Sequence, residues 1–355
     1  MATLPAFEHA SLRLFSMAST LPPHPAASAT DVQARVPAVR VGLSRVGVTG
    51  VEKVVRLRQG DADQLFSAQL ECSIDLGPEQ KGAHMSRFEE VINEAIGEVI
   101  LGESGFLAET LAAHVAERVR TRQGALRAEV TIAARYPEEK PAPVSGVPTQ
   151  EIYTLYGAAV ASGAGTRRLV GVAAQGMTAC PCAQELVAER SRERLSADGF
   201  TDHEIERILE RVPVATHNQR GLATLHIGRT ETCRTPVDAA DLLAIAEASM
   251  SSETYELLKR ADEIAIVEKA HARPRFVEDC VREMISGVVA AFPHLPDDTF
   301  VSARQENLET IHQHNVIAER FGTLGELRNE IDGDAPPARH TSMRDWLDAP
   351  PADAL

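Results

Sequence analysis

The sequence predicts an α+β fold made of two successive cycles of strands and helices. Three observations carry this reading. Apolar and polar residues alternate with period two over 39–57, 64–76, 125–136, 151–160, 167–179, 221–228 and 300–307, the pattern of strands with one buried face. Between these runs, 87–101 and 109–122 carry apolar residues at helical spacing, and 184–198, 202–211, 238–260 and 277–292 also read as helices. A break rich in proline and small residues, KPAPVSGVP at 140–148, separates the first cycle from the second.

Taken in order, residues 1–38 hold Pro22, Pro23, Pro25 and an Ala/Ser-rich stretch without sustained periodicity, so they are expected to be a disordered leader. They lack the compact apolar stretch of a secretory signal; a transit segment, or a true start at Met17, fits the same residues. The first module then spans 39–148 and the second 149–332. In the second, Thr201 or Asp202 is the cap of the helix at 202–211. EIAIVEKA at 263–270 fits a strand or a helix edge. The tail at 333–355, with Pro336, Pro337, Pro350 and Pro351, is expected to be loosely attached.

Composition narrows the function classes. A chain of 355 residues with 44% hydrophobic residues is long enough to bury a large core unaided. With 36 basic against 51 acidic residues, its net charge of −15 repels phosphate backbones, which argues against nucleic acid as partner. A small phosphorylated ligand stays compatible, because exposed charges beyond about 10 Å are screened at moderate salt. Five cysteines, an odd number in a chain too long to need staples, point to a reducing cytoplasm. No apolar run approaches the roughly 20 residues that span a bilayer, so no membrane insertion is expected.

Three segments carry candidate chemistry. TACPCAQE at 178–185 ends an apolar strand and leads into a polar helix. Cys180 and Cys182 stand two apart, which in extended backbone points both thiols to one side. In ATHNQRG at 215–221, His217 stands among amide and guanidinium groups and is a candidate metal ligand, with Asn218, Gln219 and Arg220 available to hold its second nitrogen or an anion. In ETIHQHN at 309–315, His312 and His314 are two apart with Glu309 nearby, a set suited to a divalent metal and its supporting groups. One thiolate with two imidazoles suits Zn(II), and Fe(II) or Mn(II) with a poorer match in softness. Neither a G-x-x-x-x-G-K-[ST] nor a G-x-G-x-x-G segment is present, so bound phosphates would need arginines and lysines. Buried core cysteines, a packed histidine and a polar surface turn are the plain alternatives for the three segments. The carboxylates are too numerous in so acidic a chain to be singled out by type.

These segments, together with VGVTGVEK at 46–53, KGAHMSRF at 81–88, APVSG at 142–146, LLKRADE at 257–263 and FVEDCVR at 276–282, resemble the GTP cyclohydrolase family. That family includes the bacterial type IB enzymes and the archaeal-type enzymes of methanopterin synthesis. The helical insert between TACPCAQ and THNQRG, and the ending IHQHNVIAER, resemble the archaeal-type branch more closely. The resemblance implies a tunnelling fold of two tandem modules of antiparallel sheet with helices packed on one face. It also implies a homotetramer with active sites at subunit interfaces, one divalent metal (Fe, Mn or Zn) per site, and hydrolytic opening of the guanine ring of GTP with loss of formate. Position by position, it places Cys180, His217, Glu263 and His312 at the metal and Glu278 at the guanine edge. His84, Arg87, Arg220, Lys259 and Arg260 fall toward the triphosphate, and His314 or Cys182 is left as the proton-transfer group. Many relatives carry proline where this chain has Ala261, which implies a less rigid loop before Glu263. A related enzyme of pterin or deazapurine chemistry on the same fold, and a protein with a structural zinc, are the alternatives. Either product, 7,8-dihydroneopterin triphosphate or its 2′,3′-cyclic phosphate, fits the motifs.

Overall fold

The computed structural model describes residues 31–59, 62–102, 108–333 and 340–349. Most of the expected leader, residues 1–30, lies outside the described residues. The chain opens with two long strands, β1 (Leu43–Gln59) and β2 (Ala62–Leu76), then two helices, α1 (Met85–Gly102) and α2 (Ala108–Gln123). Three strands follow, β3 (Ala128–Pro141), β4 (Pro148–Ser162) and β5 (Gly165–Ala179). A helical pair, α3 (Pro181–Ala197) and α4 (Asp202–Arg211), separates β5 from β6 (Asn218–Arg229). Next come α5 (Ala239–Ser249), the short β7 (Ser252–Glu253), α6 (Arg260–Ala272) and α7 (Val277–Ala291). The chain closes with β8 (Phe300–Leu308), β9 (Val316–Thr323), α8 (Leu324–Asp332) and α9 (Met343–Asp348).

All of these strands join one antiparallel sheet, in the order β1-β2-β3-β4-β5-β6-β8-β9, with β7 pairing onto β5. The expected α+β class is therefore what the chain adopts. The alternation seen in the sequence explains the layering. Val130, Ile132 and Ala134 of β3, Val170, Val172 and Ala174 of β5, and Ala223, Leu225 and Ile227 of β6 share one buried face. On that face they meet Leu111 and Val115 of α2, Leu242 and Ala246 of α5, and Val281, Met284 and Val288 of α7. Burial of each such valine, leucine, isoleucine or methionine side chain stabilises the fold by about 1.5–3 kcal/mol, and of each alanine by less. In β1 the pairing with β2 shifts register between Val48 and Val51, where Gly50 takes φ 66°, a bulge that restores the apolar face.

Several expectations are corrected. The strand read from 39 begins at Leu43. The helix expected over 238–260 ends at Ser249, because the chain turns to place Ser252 and Glu253 beside Met177 and Gly176 of β5. EIAIVEKA is part of α6, whose buried Asp262, Ile266 and Ala270 follow a helical spacing. The break at 140–148 is shorter than expected, since β3 runs to Pro141 and β4 starts at Pro148. Thr201 is the cap of α4 and closes a reciprocal pair with Glu204. β9, α8 and α9 are additions to the sequence reading. Within the stretch expected to be a loose tail, α9 brings Trp346 onto the other face of the sheet, against Leu169 and Phe300.

Candidate active site

The sheet register builds the site. Ala179 at the end of β5 pairs with Asn218 at the start of β6, and the pairing continues one step further, with the Cys180 amide donating to the His217 carbonyl at 3.1 Å. The hydroxyl of Thr216 donates to the Cys180 carbonyl at 2.7 Å. Residues 37 positions apart thus lie side by side, and the α3–α4 pair is an excursion between them. On the other flank Arg220 pairs with Leu308, so the segment 309–315 leaves β8 beside the start of β6. Arg275 closes the third side. Its amide donates to the Ala179 carbonyl at 2.9 Å, and its guanidinium reaches the carbonyl of Ala248 at 2.9 Å and Glu283 at 3.2 Å, which fastens the start of α7 to the end of β5.

These elements surround a cavity of about 260 Å³. Cys180, His217, Glu278, Glu309, His312 and His314 bring the reactive groups to its wall, with Gln219, Asn307 and Arg275 between them. The His217 and His312 rings stand edge to face with centroids 6.5 Å apart, and His312 stacks on His314 at 5.2 Å. Cys180 caps α3, and its sulfur accepts from the Ala183 amide at 3.4 Å. Nδ1 of His217 lies 3.1 Å from Oε1 of the buried Gln219. With the amide oxygen accepting there, the proton sits on Nδ1 and the lone pair of Nε2 is left for a ligand. Glu309 has a side chain only 7% exposed, and its Oε2 has no hydrogen-bond partner among the described residues; the nearest cationic candidate is His217 Nδ1 at 3.8 Å. A buried carboxylate oxygen without a partner is costly, which marks this wall as built for a ligand.

Seven of the residues singled out from the sequence are therefore brought together: Cys180, His217, Gln219, His312, His314, Glu309 and Glu278. Cys182 is exposed and outside the cavity wall, because helical geometry starts at Pro181 and turns it away from Cys180, which corrects the extended reading of CPC. Segment 309–315 is likewise a succession of bends and not a helix. Glu263 is exposed on the first turn of α6, with Lys259 and Arg260 exposed just before it. Arg220 is exposed on β6 and donates to Gln175 at 3.0 Å. His84 and Arg87 stand at the start of α1, where His84 lies 3.4 Å from Asp31 and Arg87 donates to the Arg122 carbonyl at 3.4 Å. Two polar wall residues had no role assigned from sequence, Arg275 and Asn307, whereas Gln219 is the one of the three side chains offered for the second nitrogen of His217 that takes it. Arg275 and Asn307 carry no local signal and gain their place from strand and helix ends.

A profile described as "Type I GTP cyclohydrolase folE2" matches residues 29–318. GTP cyclohydrolase MptA of Methanococcus vannielii is 41% identical over 314 residues, covering 85% of this chain and 99% of that protein. GTP cyclohydrolase MptA of Methanothermobacter thermautotrophicus is 41% identical over 309 residues, covering 85% and 96%. Among solved structures, uricase from Arthrobacter globiformis superposes with a TM-score of 0.47 at 8% identity, over 79% of this chain and 93% of that one, a likeness too distant to speak to chemistry. The match over most of the chain, and the motif residues gathered around one cavity, lead to one conclusion: the chain belongs to the type I GTP cyclohydrolase folE2 family.

Proposed function

We propose that this protein is a GTP cyclohydrolase that opens the guanine imidazole ring of GTP with release of formate. The observation that carries this is the single cavity into which the ends of β5, β6, β8 and α7 deliver Cys180, His217, His312, His314, Glu278 and Glu309. The donors fit a divalent metal in their chemistry: a thiol, an imidazole with its outer nitrogen already engaged by Gln219, and a second imidazole at ring-contact distance. Cys180, His217 and His312 would hold Zn(II), Fe(II) or Mn(II), and Glu263 is the proposed fourth ligand. The ion would supply Lewis-acid polarisation of water for attack at carbon 8.

The remaining steps rest on the chain's own groups. The Glu278 carboxylate accepts from guanine N1–H and the exocyclic amine, a pairing that adenine cannot offer. His314, stacked on His312 in the same wall, is the proposed proton shuttle between attacking water and the ring nitrogen that leaves. Cys182 lies outside this wall and is the weaker candidate for that role. The exposed Lys259, Arg260 and Arg220, with His84 and Arg87, are the proposed triphosphate contacts. Among the described residues no three His, Cys, Asp or Glu side chains already converge on one point, and Glu263 faces outward. Both facts support assembly of the complete site between copies, as in a homotetramer of tunnelling folds in which each chain contributes two tandem modules. Five free cysteines support a reducing cytoplasm, and no helix among the described residues is long and apolar enough to cross a membrane.

The test is anaerobic incubation with GTP and, separately, Zn(II), Mn(II) or Fe(II), following formate and the fluorescence of oxidised pterin, with Cys180→Ala as control. Metal-dependent formate and pterin, lost in the variant, are expected, and mass analysis then tells the triphosphate from the 2′,3′-cyclic phosphate. Folded, metal-loaded protein that yields no formate with any of these ions refutes the assignment.

A further inference from the structure

The turn at 142–147, between β3 and β4, lies more than a hundred residues from α6 in sequence, yet one carboxylate joins them. Asp262 is fully buried, and both of its oxygens are completely engaged. Oδ1 accepts from the amides of Val144 and Ser145, each at 2.8 Å. Oδ2 accepts from the Ser145 hydroxyl at 2.7 Å and from the Lys259 amide at 2.8 Å. The turn that offers these donors is shaped in advance. Ala142 and Val147 close it at 2.9 Å, the Gly146 amide returns to the Ala142 carbonyl at 3.1 Å, and Gly146 takes φ 66°, where a side chain would be strained. A second fastening runs in parallel: Oε1 of the buried Glu151 on β4 accepts from the Glu256 amide at 2.8 Å. The stretch from Glu256 to Asp262 is thus pinned at two points to the end of the β3–β4 hairpin. Lys259 and Arg260 within it, and Glu263 just after it, are solvent-exposed.

We propose that Asp262 is a positioning residue, which with Ser145 sets the first turn of α6 on the β3–β4 turn and thereby fixes the place from which Glu263 reaches the metal. This rests on the reading of Glu263 as a metal ligand. The second position of α6 does not need a fixed φ when the third position is locked by four hydrogen bonds.

The test uses metal-stripped full-length protein titrated with Zn(II) against a chromophoric chelator. Asp262→Asn leaves one acceptor oxygen and aims an NH₂ group at donors, so at least one pair of bonds is lost. Zn(II) affinity is expected to fall about 10–100-fold, as for other groups that orient a ligand. Ser145→Ala removes one bond and is expected to weaken binding by a smaller factor. Adding Ala261→Pro to Asp262→Asn is expected to recover part of the affinity, a rescue that a merely structural role would not give. Amide exchange at 144, 145 and 259 is expected to accelerate in Asp262→Asn. Folded Asp262→Asn with wild-type Zn(II) affinity, while Glu263→Ala binds weakly, overturns the proposal. Should Asp262→Asn fail to fold, Ser145→Ala decides in the same way. Wild-type affinity in Glu263→Ala removes the ligand reading itself, and the proposal with it.

Discussion

Trp346→Ala is expected to lower stability by about 3–5 kcal/mol, the range for losing a buried Trp side chain. Trp346 is 3% exposed, packs tilted against Phe300 with ring centroids 5.7 Å apart, and donates from Nε1 to the Asp298 carbonyl at 2.7 Å. The Arg167 guanidinium lies 5.1 Å from its ring, and the ring also leans on Gly228, where an added Cβ would come within 2.9 Å. For a chain of this size the loss corresponds to a fall of several degrees in Tm, on the order of 0.7 kcal/mol per degree. Trp346→Phe keeps most of the apolar contact but leaves the Asp298 carbonyl unpaired, so about 1 kcal/mol is expected. Gly228→Ala pushes a methyl group into the ring. Its cost is expected to shrink in the Trp346→Ala background to the part due to the Phe300 Cβ at 3.1 Å, with a coupling of at least about 1 kcal/mol in a double-mutant cycle. The assay is thermal melting of wild type and the four variants at fixed concentration. Gly228 stands ten residues along β6 from Asn218, about 33 Å from the cavity end of the strand, so formate release below the melting range is expected to be unchanged. An unaltered Tm in Trp346→Ala, or additive effects in the cycle, refutes the view that this segment is an integral part of the sheet.

Two further outcomes are expected. His226 sits on that same face beside Gly171 and 5.3 Å from the Tyr156 ring, and burial pulls its imidazole down to about 4. Above pH 6.5 it is neutral in both the folded and unfolded chain and has no effect; as pH falls from 6.5 toward 4 the unfolded chain takes up a proton that the fold refuses, and stability declines. Urea melts at pH 7 and pH 5 should show His226→Gln losing about 2 kcal/mol less than wild type over that interval, and equal losses would be contrary to this account. Gln219→Ala releases Nδ1 of His217, so Mn(II) affinity measured by equilibrium dialysis should drop roughly 10–100-fold, and an unchanged affinity would show that the ring is oriented by something else.

The periodic parts of the chain were legible in advance because one face of each strand is buried. Val130, Ile132 and Ala134 announce themselves by alternation, and so do Leu225 and Ile227. β9 escaped because its edge position leaves it half-exposed, so Val316–Thr323 has no clean alternation to read. The helix expected over 238–260 was overrun because apolar residues continue past Ser249, and only the pairing of Ser252 and Glu253 with β5 ends it. Of the site, Cys180 and the histidines stood out as residue types capable of metal chemistry. Gln219 was one of three neighbours offered to hold the His217 ring, and only its burial beside Nδ1 tells it from Asn218 and Arg220; Asn307 did not stand out, since a buried amide differs from an exposed one only in its tertiary neighbours.

Register is what turns these scattered segments into one site. Shifting β6 by one residue against β5 would carry His217 away from Cys180 and place Asn218 or Thr216 there instead, with the opposite facing. Such a slip is opposed by the apolar face of β6, which would move Ala223, Leu225 and Ile227 out of contact with α5 and α7. The same core residues that stabilise the fold therefore hold the separation between thiol and imidazole, and the pairing of β6 with β8 does the same for the segment that carries His312. This explains how the helical excursion from Pro181 to Arg211 is compatible with a fixed site: α3 buries none of its residues in the chain and α4 only Ile205, so the pair hangs from the register without contributing to it. Strain introduced into α3 should therefore stay outside the sheet, whereas a change of register at the start of β6, where Asn218 pairs with Ala179, should reach His217 at once.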